Sequence, residues 1–232
     1  MSWRCFWKNI VKWKKYWRIE QSKNKRQIKM TEIIKDLVTE KTVNGIKIPK
    51  RPKIKQGAFQ IYTGEGKGKS TASLGLMLRA LGSGMHVYYV RMLKPRWKTG
   101  ELKLCPENFH PNLTFRNVPH YWALCVSKTI PEDVETMKEK MEPEMEDLHE
   151  QVKSGKYDLI IADEINYCIY RGLLSVEKAI QIVEDRPKNV ELVFTGRYAH
   201  EELIGRADLV TEMKKIKHHF DKGIRARIGI EF

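Results

Sequence analysis

The chain has 232 residues, 41% of them hydrophobic, which is sufficient for a sizeable core in one large or two small domains. Its net charge of +14 is concentrated at one end, because residues 1–56 hold 17 Lys and Arg against four Asp and Glu, whereas residues 57–232 are close to neutral. A near-neutral main domain argues against a nucleic acid as its ligand.

The cysteines and the hydropathy pattern exclude further classes of protein. Cys5, Cys105, Cys125 and Cys168 form no CxxC pair, which argues against a structural zinc site and against a disulfide framework. Reduced thiols in a cytoplasmic protein are the simplest interpretation. No run of 18 or more apolar residues occurs, so no membrane-spanning helix is predicted.

The chain begins with a basic, tryptophan-rich segment, residues 1–29. Its four tryptophans recur at roughly helical spacing with lysines between them, which predicts an amphipathic helix suited to an anionic membrane surface or a partner groove. The alternative is an upstream extension of a working protein that begins at Met30. Residues 30–56 are predicted to form a short helix and a basic arm broken by Pro49 and Pro52. This arm either lies over the functional site of the next domain or is a solvated linker.

A glycine-rich turn, TGEGKGKS, follows at residues 63–70, between an apolar run at 58–62 and a helical pattern at 71–81. This is the layout of a phosphate-binding loop, in which backbone N–H groups and a helix N-terminus attract phosphates. Lys69 is expected to reach the outer phosphates, and the Ser70 hydroxyl to hold Mg²⁺. A flexible turn that binds nothing is disfavoured, because the strand and helix that the motif requires are both predicted.

The whole loop is expected to contact the nucleotide. The residues are Thr63, Gly64, Glu65, Gly66, Lys67, Gly68, Lys69, Ser70 and Thr71. Thr63 stands where the general motif GxxxxGK[ST] has its first glycine, and Lys67 adds a second cation inside the loop.

Apolar runs alternate with helical patterns through the rest of the chain. Runs rich in β-branched and aromatic residues cover residues 58–62, 86–92, 113–118, 157–162 and 190–194. Their continuous apolar character predicts an α/β fold, a mostly parallel sheet with helices on both faces. A charged helical stretch spans 131–155, and Pro143 is expected to kink or divide it.

Two later strand ends carry polar side chains. Asp163 and Glu164 end the run YDLIIADE, at the carboxyl end of a parallel strand, where a carboxylate can complete a Mg²⁺ shell. The alternative is that Asp163 caps the following helix. Arg197 ends FTGR and is placed to reach a phosphate or a nucleotide ring, unless it is a surface arginine after a turn.

Six blocks in order carry a family resemblance. They are TGEGKGKST, VRMLK with Trp97 and Gly100-Glu101, IIADEIN, FTGR, ADLVTE, and KHHFDKGI with the final GIEF. Together they resemble the P-loop ATP:corrinoid adenosyltransferases, which act on cob(I)alamin or cob(I)yrinic acid a,c-diamide. The resemblance extends over residues 57–232.

The resemblance implies a RecA-like P-loop NTPase fold, usually a homodimer, with a reductase as a further candidate partner. ATP would bind with Mg²⁺ or Mn²⁺, and a reduced Co(I) corrinoid would attack the ribose 5′ carbon and release triphosphate, in adenosylcobalamin biosynthesis or salvage. Lys69 and Glu164 are the candidate catalytic residues, and Ser70, Asp163 and Glu164 the candidate metal ligands. Because cobalt is the nucleophile, no protein nucleophile or base is required.

One block departs from the family pattern. The family often has Phe-x-Trp in a loop before the long helix, which helps to remove the lower axial ligand of the corrinoid. Here Tyr121 and Trp122 are adjacent and would project differently, so they are either corrinoid contacts or core aromatics. In the last block, His218 is expected to have a structural role near a turn rather than to bind a metal.

Two other function classes stay open on the residues alone. A RecA-like ATPase or small-molecule kinase would use the same loop at the γ-phosphate, with Glu164 orienting water or an acceptor hydroxyl. A nucleotide-dependent binding protein would use its basic N-terminal segment on a membrane or nucleic acid. The predicted domains are the extension 1–29, the helix and arm 30–56, and the adenosyltransferase domain 57–232.

Overall fold

A parallel six-stranded sheet forms the centre of the computed structural model, which describes residues 41–43, 45–93, 99–104, 109–118 and 134–231. The described residues belong to one unit of the chain, Lys41–Phe232. The basic segment 1–29, the helix predicted after Met30, and the aromatic pair Tyr121 and Trp122 lie outside the described residues.

A short antiparallel hairpin precedes the sheet, and strands then alternate with helices as predicted. The strands are β1 (Lys41–Val43), β2 (Ile46–Ile48), β3 (Phe59–Thr63), β4 (Val87–Arg91), β5 (Leu113–Asn117), β6 (Leu159–Asp163), β7 (Glu191–Thr195) and β8 (Leu209–Glu212). The helices are α1 (Lys69–Gly82), α2 (Gly100–Leu104), α3 (Val134–Lys153), α4 (Ile165–Tyr170), α5 (Val176–Glu184) and α6 (Glu201–Ile204), followed by a 3-10 turn, His219–Lys222. The five predicted strands are confirmed, whereas the hairpin and β8 were not predicted.

The strand order decides which polar groups meet. The sheet runs β5-β4-β6-β7-β3-β8, and its hydrogen-bonded neighbours are parallel. The phosphate-loop strand β3 and the acidic strand β6 therefore lie on either side of β7. Because parallel strands end at the same edge, the loop, Asp163 and the end of β7 lie together at the carboxyl edge. The predicted α/β fold with a mostly parallel sheet is confirmed.

Helices cover both faces of the sheet. Along β6, Ile160 packs in one apolar cluster with α3, α4 and α5, whereas Ile161 packs in a second cluster with Met77 and Leu81 of α1. Successive residues of a strand point to opposite faces, so a strand covered on both sides is continuously apolar. All five residues of β4 and of β6 are buried accordingly.

Helix α3 continues through Pro143, so the expectation that the proline divides it is wrong. Four of the buried side chains on one side of the helix recur every three or four residues: Met137, Met141, Met145 and Leu148. This stripe packs on the sheet, and tertiary packing of an apolar stripe stabilises a helix more than local propensity does. Within the described residues, no helix is long and apolar enough to cross a membrane.

The basic arm contacts the edge of the sheet opposite the phosphate loop. Arg51 donates from Nε to Asp158 Oδ2 at 2.8 Å and from Nη2 to the Lys156 carbonyl at 3.1 Å, just before β6 begins. Gly84 follows the end of α1, and the Pro49 backbone lies so close to it that a side chain at position 84 would clash with Pro49. Both contacts are at the amino edge, so the hypothesis that the arm lies over the phosphate loop is wrong for this part of it.

Candidate active site

The turn between β3 and α1 requires glycine because its backbone curls and because another segment presses against it. Gly64 and Gly68 have φ of 94° and 127°, which side chains disfavour. A Cβ atom would lie 2.7 Å from the Met213 carbonyl oxygen at Gly64 and 2.5 Å from it at Gly66. The Gly66 N–H donates to that same oxygen at 2.6 Å. The loop is therefore shaped by the chain that follows β8.

Lys69 folds back over this loop. Its Nζ donates to the Gly64 carbonyl at 2.6 Å and to the Gly66 carbonyl at 2.8 Å, and the residue is buried. Helix α1 begins here without a side-chain cap and without an acidic residue in its first turn. An ammonium group and a helix N-terminus that carries no acidic residue together favour an anion such as phosphate.

Asp163 joins the phosphate loop to two neighbouring strands. Its Oδ1 accepts hydrogen bonds from Ser70 Oγ at 2.8 Å and from Thr195 Oγ1 at 2.6 Å. The three side chains come from α1, β6 and β7, and Asp163 is 1% exposed. The alternative that Asp163 caps α4 is wrong, because Glu164 occupies the cap position and its side chain makes no capping hydrogen bond.

The donors around Asp163 fit Mg²⁺. The Asp163 carboxylate and the Ser70 hydroxyl are hard oxygen ligands. In nucleotide sites, Mg²⁺ takes its remaining ligands from phosphates and water. Among the described residues, no group of three His, Cys, Asp or Glu is placed to hold a metal by itself.

His218 has the structural role that was predicted for it. Its ring nitrogen accepts from the Phe220 N–H at 3.2 Å and so caps the 3-10 turn.

Glu164 has a left-handed backbone, with φ 70° and ψ 10°. For a residue other than glycine this costs on the order of 1 kcal/mol, so its surroundings must impose it. They do: the Glu164 N–H donates to Thr195 Oγ1 at 3.0 Å, and its carbonyl accepts from the N–H groups of Tyr167 and Cys168 at 3.1 Å. The turn thereby keeps a second, half-buried acidic residue directly beside Asp163.

The turn after β7 is attached to the phosphate loop. The Ala199 N–H donates to Thr63 Oγ1 at 3.3 Å, and the Tyr198 hydroxyl donates to Glu65 Oε1 at 3.3 Å. Arg197 lies in this turn and is exposed. The threonine that replaces the first glycine of the motif thus has a function: its hydroxyl binds the turn that carries Arg197.

Sequence reasoning missed several residues that build this site. Ser73 Oγ donates to the Ser70 carbonyl at 2.9 Å and shares a 2.8 Å hydrogen bond with the Tyr89 hydroxyl, which ties the start of α1 to β4. Burial and, next, the Asp163 carboxylate raise the pKa of Tyr89 well above its usual range, so it stays protonated. Thr195 was also missed, although its place at a strand end was a usable signal.

Arg91, at the end of β4, was also missed as a site residue. It is 2% exposed, donates to Thr99 Oγ1 at 3.0 Å and pairs with Glu101 at 3.3 Å. It lies opposite Asp163 in the register of β4 and β6, at the same carboxyl edge. A buried guanidinium needs such partners, and here they fix the start of α2 beside the site.

A protein family and several known proteins are similar to this chain. A family model described as ATP:corrinoid adenosyltransferase BtuR/CobO/CobP matches residues 55–232. A corrinoid adenosyltransferase of Sinorhizobium sp is 34% identical over 178 residues, covering 76% of this chain and 81% of that protein. A corrinoid adenosyltransferase of Escherichia coli (strain K12) is 29% identical over 177 residues, covering 76% of this chain and 86% of that protein. A solved KaiC-like protein from Pyrococcus horikoshii OT3 aligns with a TM-score of 0.38 at 14% identity, over 68% of this chain and 73% of that one.

Proposed function

The chain belongs to the ATP:corrinoid adenosyltransferase family, and we propose that residues 63–71 with Asp163 hold the triphosphate and metal of its ATP. The protein is an enzyme that transfers the adenosyl group of ATP to a corrinoid. The observation that carries the site assignment is that Ser70 and Thr195 both donate to Asp163 at the end of the loop over which Lys69 folds.

Lys69 is proposed to stabilise the leaving triphosphate. Its ammonium donates to the carbonyls of Gly64 and Gly66, within the loop itself. With ATP bound, phosphate oxygens would take the place of these carbonyls. Negative charge builds on the triphosphate as the ribose bond breaks, so a fixed cation and a helix N-terminus favour the transition state.

Ser70 and Asp163 are proposed to hold Mg²⁺ or Mn²⁺, with Glu164 contributing through water. Bound there, the metal would neutralise charge on the triphosphate. Thr195 is proposed to orient the carboxylate, because its hydroxyl donates to Asp163 Oδ1 at 2.6 Å. Arg197 is proposed to contact a phosphate, since its turn is attached to the loop through Thr63.

The chemical step proposed is displacement at the ribose 5′ carbon by a reduced Co(I) corrinoid. A cobalt–carbon bond forms, the bond from C5′ to the phosphate oxygen breaks, and the electron pair of that bond leaves with the triphosphate. The protein therefore needs to bind and orient rather than supply a nucleophile. Tyr121 and Trp122 are the candidate corrinoid contacts, and core aromatics are the alternative role for them.

A homodimer, a reductase partner and a cytoplasmic location are further proposals. The reductase would supply the electrons for Co(I), and the cytoplasm supplies ATP. No nucleic-acid ligand is expected, because residues 57–232 are close to neutral. A membrane contact of residues 1–29 would appear as lipid binding that is lost when they are deleted.

One assay tests the proposed chemistry. The protein is incubated with ATP, Mg²⁺ and a chemically reduced corrinoid without oxygen, and the phosphate product is identified. Triphosphate together with a light-sensitive adenosylated corrinoid is the expected result. ADP and orthophosphate formed without any need for corrinoid would instead indicate an ATPase or kinase that acts at the γ-phosphate.

A further inference from the structure

Residues 213–231, here called the C-terminal strap, begin and end against the phosphate loop. At the start, the Met213 N–H donates to the Thr63 carbonyl at 2.8 Å, and the Met213 carbonyl accepts from Gly66 at 2.6 Å. At the end, Lys67 Nζ donates to the Ile230 carbonyl at 3.0 Å and to Glu231 Oε1 at 2.7 Å. The strap thus forms a closed chain segment whose two ends are bound by one loop.

Much of the strap between these ends is exposed to solvent. Its large apolar side chains Ile216, Phe220 and Ile228 are 77%, 70% and 79% exposed. Burial of these side chains therefore contributes little to holding the strap in place. The polar contacts between the strap and the loop therefore contribute more to holding the strap in place.

Glu231 is fixed within the strap before it meets Lys67. The Arg227 backbone N–H donates to Glu231 Oε2 at 2.8 Å, and Arg227 Nη2 donates to Oε1 at 3.1 Å. The hydrogen bonds from Arg227 and then from Lys67 hold the pKa of Glu231 well below its usual range. The carboxylate is therefore ionised at neutral pH, with 14% of its side chain exposed.

We propose that Glu231 is a positioning residue of the nucleotide site, which acts through Lys67 to keep the phosphate loop in the conformation that receives the triphosphate. This inference rests on the proposed role of the loop in ATP binding. Lys67 stands between Gly66 and Gly68, which leave the loop backbone free to adopt other conformations. A tether at this side chain reduces the entropy that the loop loses when ATP binds. The Lys67 side chain then serves to attach the loop to the strap.

The test is equilibrium binding of MgATP to the full chain by calorimetry. Glu231→Gln keeps the size of the side chain and removes its charge, and the Kd is expected to rise about three- to fivefold, while the rate at saturating ATP changes less. Asp221→Asn is the matched control. It removes an ion pair inside the strap, with Lys215 at 2.7 Å, and leaves the loop contacts intact, so its Kd should equal that of the unaltered chain.

A second variant shows whether Glu231 acts through Lys67. Lys67→Ala is expected to raise the Kd by a similar factor, and adding Glu231→Gln to it should change nothing further. Hydrogen exchange at residues 63–68 should quicken in each variant. Independent effects of the two substitutions, an unchanged Kd, or tighter ATP binding after Glu231→Gln would overturn the inference. If the unaltered chain binds no ATP, the proposed function of the loop fails as well.

Discussion

Thr195 and Asp163, which end two neighbouring strands, share a 2.6 Å hydrogen bond in which the threonine hydroxyl donates to Oδ1. The same hydroxyl accepts from the Glu164 N–H at 3.0 Å. One oxygen thereby fixes both the carboxylate proposed to hold the metal and the strained turn that follows it. Thr195 is fully buried and Asp163 is 1% exposed, so the carboxylate could not turn to water if the hydroxyl were lost.

Replacing Thr195 with valine tests this relationship. Valine has the same shape but leaves the Glu164 N–H without its acceptor, so the free energy of unfolding should fall by about 1–3 kcal/mol. Urea denaturation measures this change. Thr195→Ser keeps the hydroxyl, so its free energy of unfolding should fall much less. A valine variant as stable as the unaltered chain would show that the hydrogen bond contributes nothing.

Lys69→Ala should lower kcat/KM for adenosyl transfer by about a hundredfold or more, because a fixed cation no longer faces the departing triphosphate. Steady-state assays with reduced corrinoid and varied ATP give this ratio. Lys188→Ala is the control, since Lys188 is an exposed lysine before β7, at the opposite edge of the sheet. Near-normal turnover of Lys69→Ala would mean that the loop does not bind the phosphates.

Asp163→Asn should raise the Mg²⁺ concentration needed for half-maximal activity by about tenfold or more, because a neutral amide is a poor Mg²⁺ ligand. Asparagine retains an oxygen that can accept from Ser70 and Thr195, so the fold should persist. A Mg²⁺ titration at saturating ATP measures the effect, with unfolding curves run in parallel. An unchanged Mg²⁺ requirement would remove Asp163 from the metal site.

Gly66→Ala should destabilise the protein by about 1–3 kcal/mol, because its Cβ atom would lie 2.5 Å from the Met213 carbonyl oxygen and push the strap off the loop. Gly75→Ala is the matched control within α1. No atom lies within 4 Å of a Cβ atom at Gly75, so alanine should be neutral or stabilise the helix by up to about 1 kcal/mol. Thermal unfolding of both variants would show the contrast, and equal midpoints would contradict it.

Much of the fold was predictable because its signals are local. The strands β3 to β7 are short apolar runs, and the phosphate loop is a run of glycines and lysines between a strand and a helix. Pro143 does not divide α3, because the packing of Met141 and Met145 on the sheet outweighs a local helix breaker.

The contacts that complete the site join residues far apart in the chain. The sequence by itself determined the loop and the strand that ends in Asp163, since each depends on neighbouring residues, and it determined the family through six short blocks. Only the tertiary structure decided that Thr195 lies between Asp163 and the loop, and that Met213 and Glu231 bind the loop. It also placed the arm at the opposite edge. The physical reason is that these contacts depend on strand order and register, which arise from packing the whole sheet rather than from any one segment.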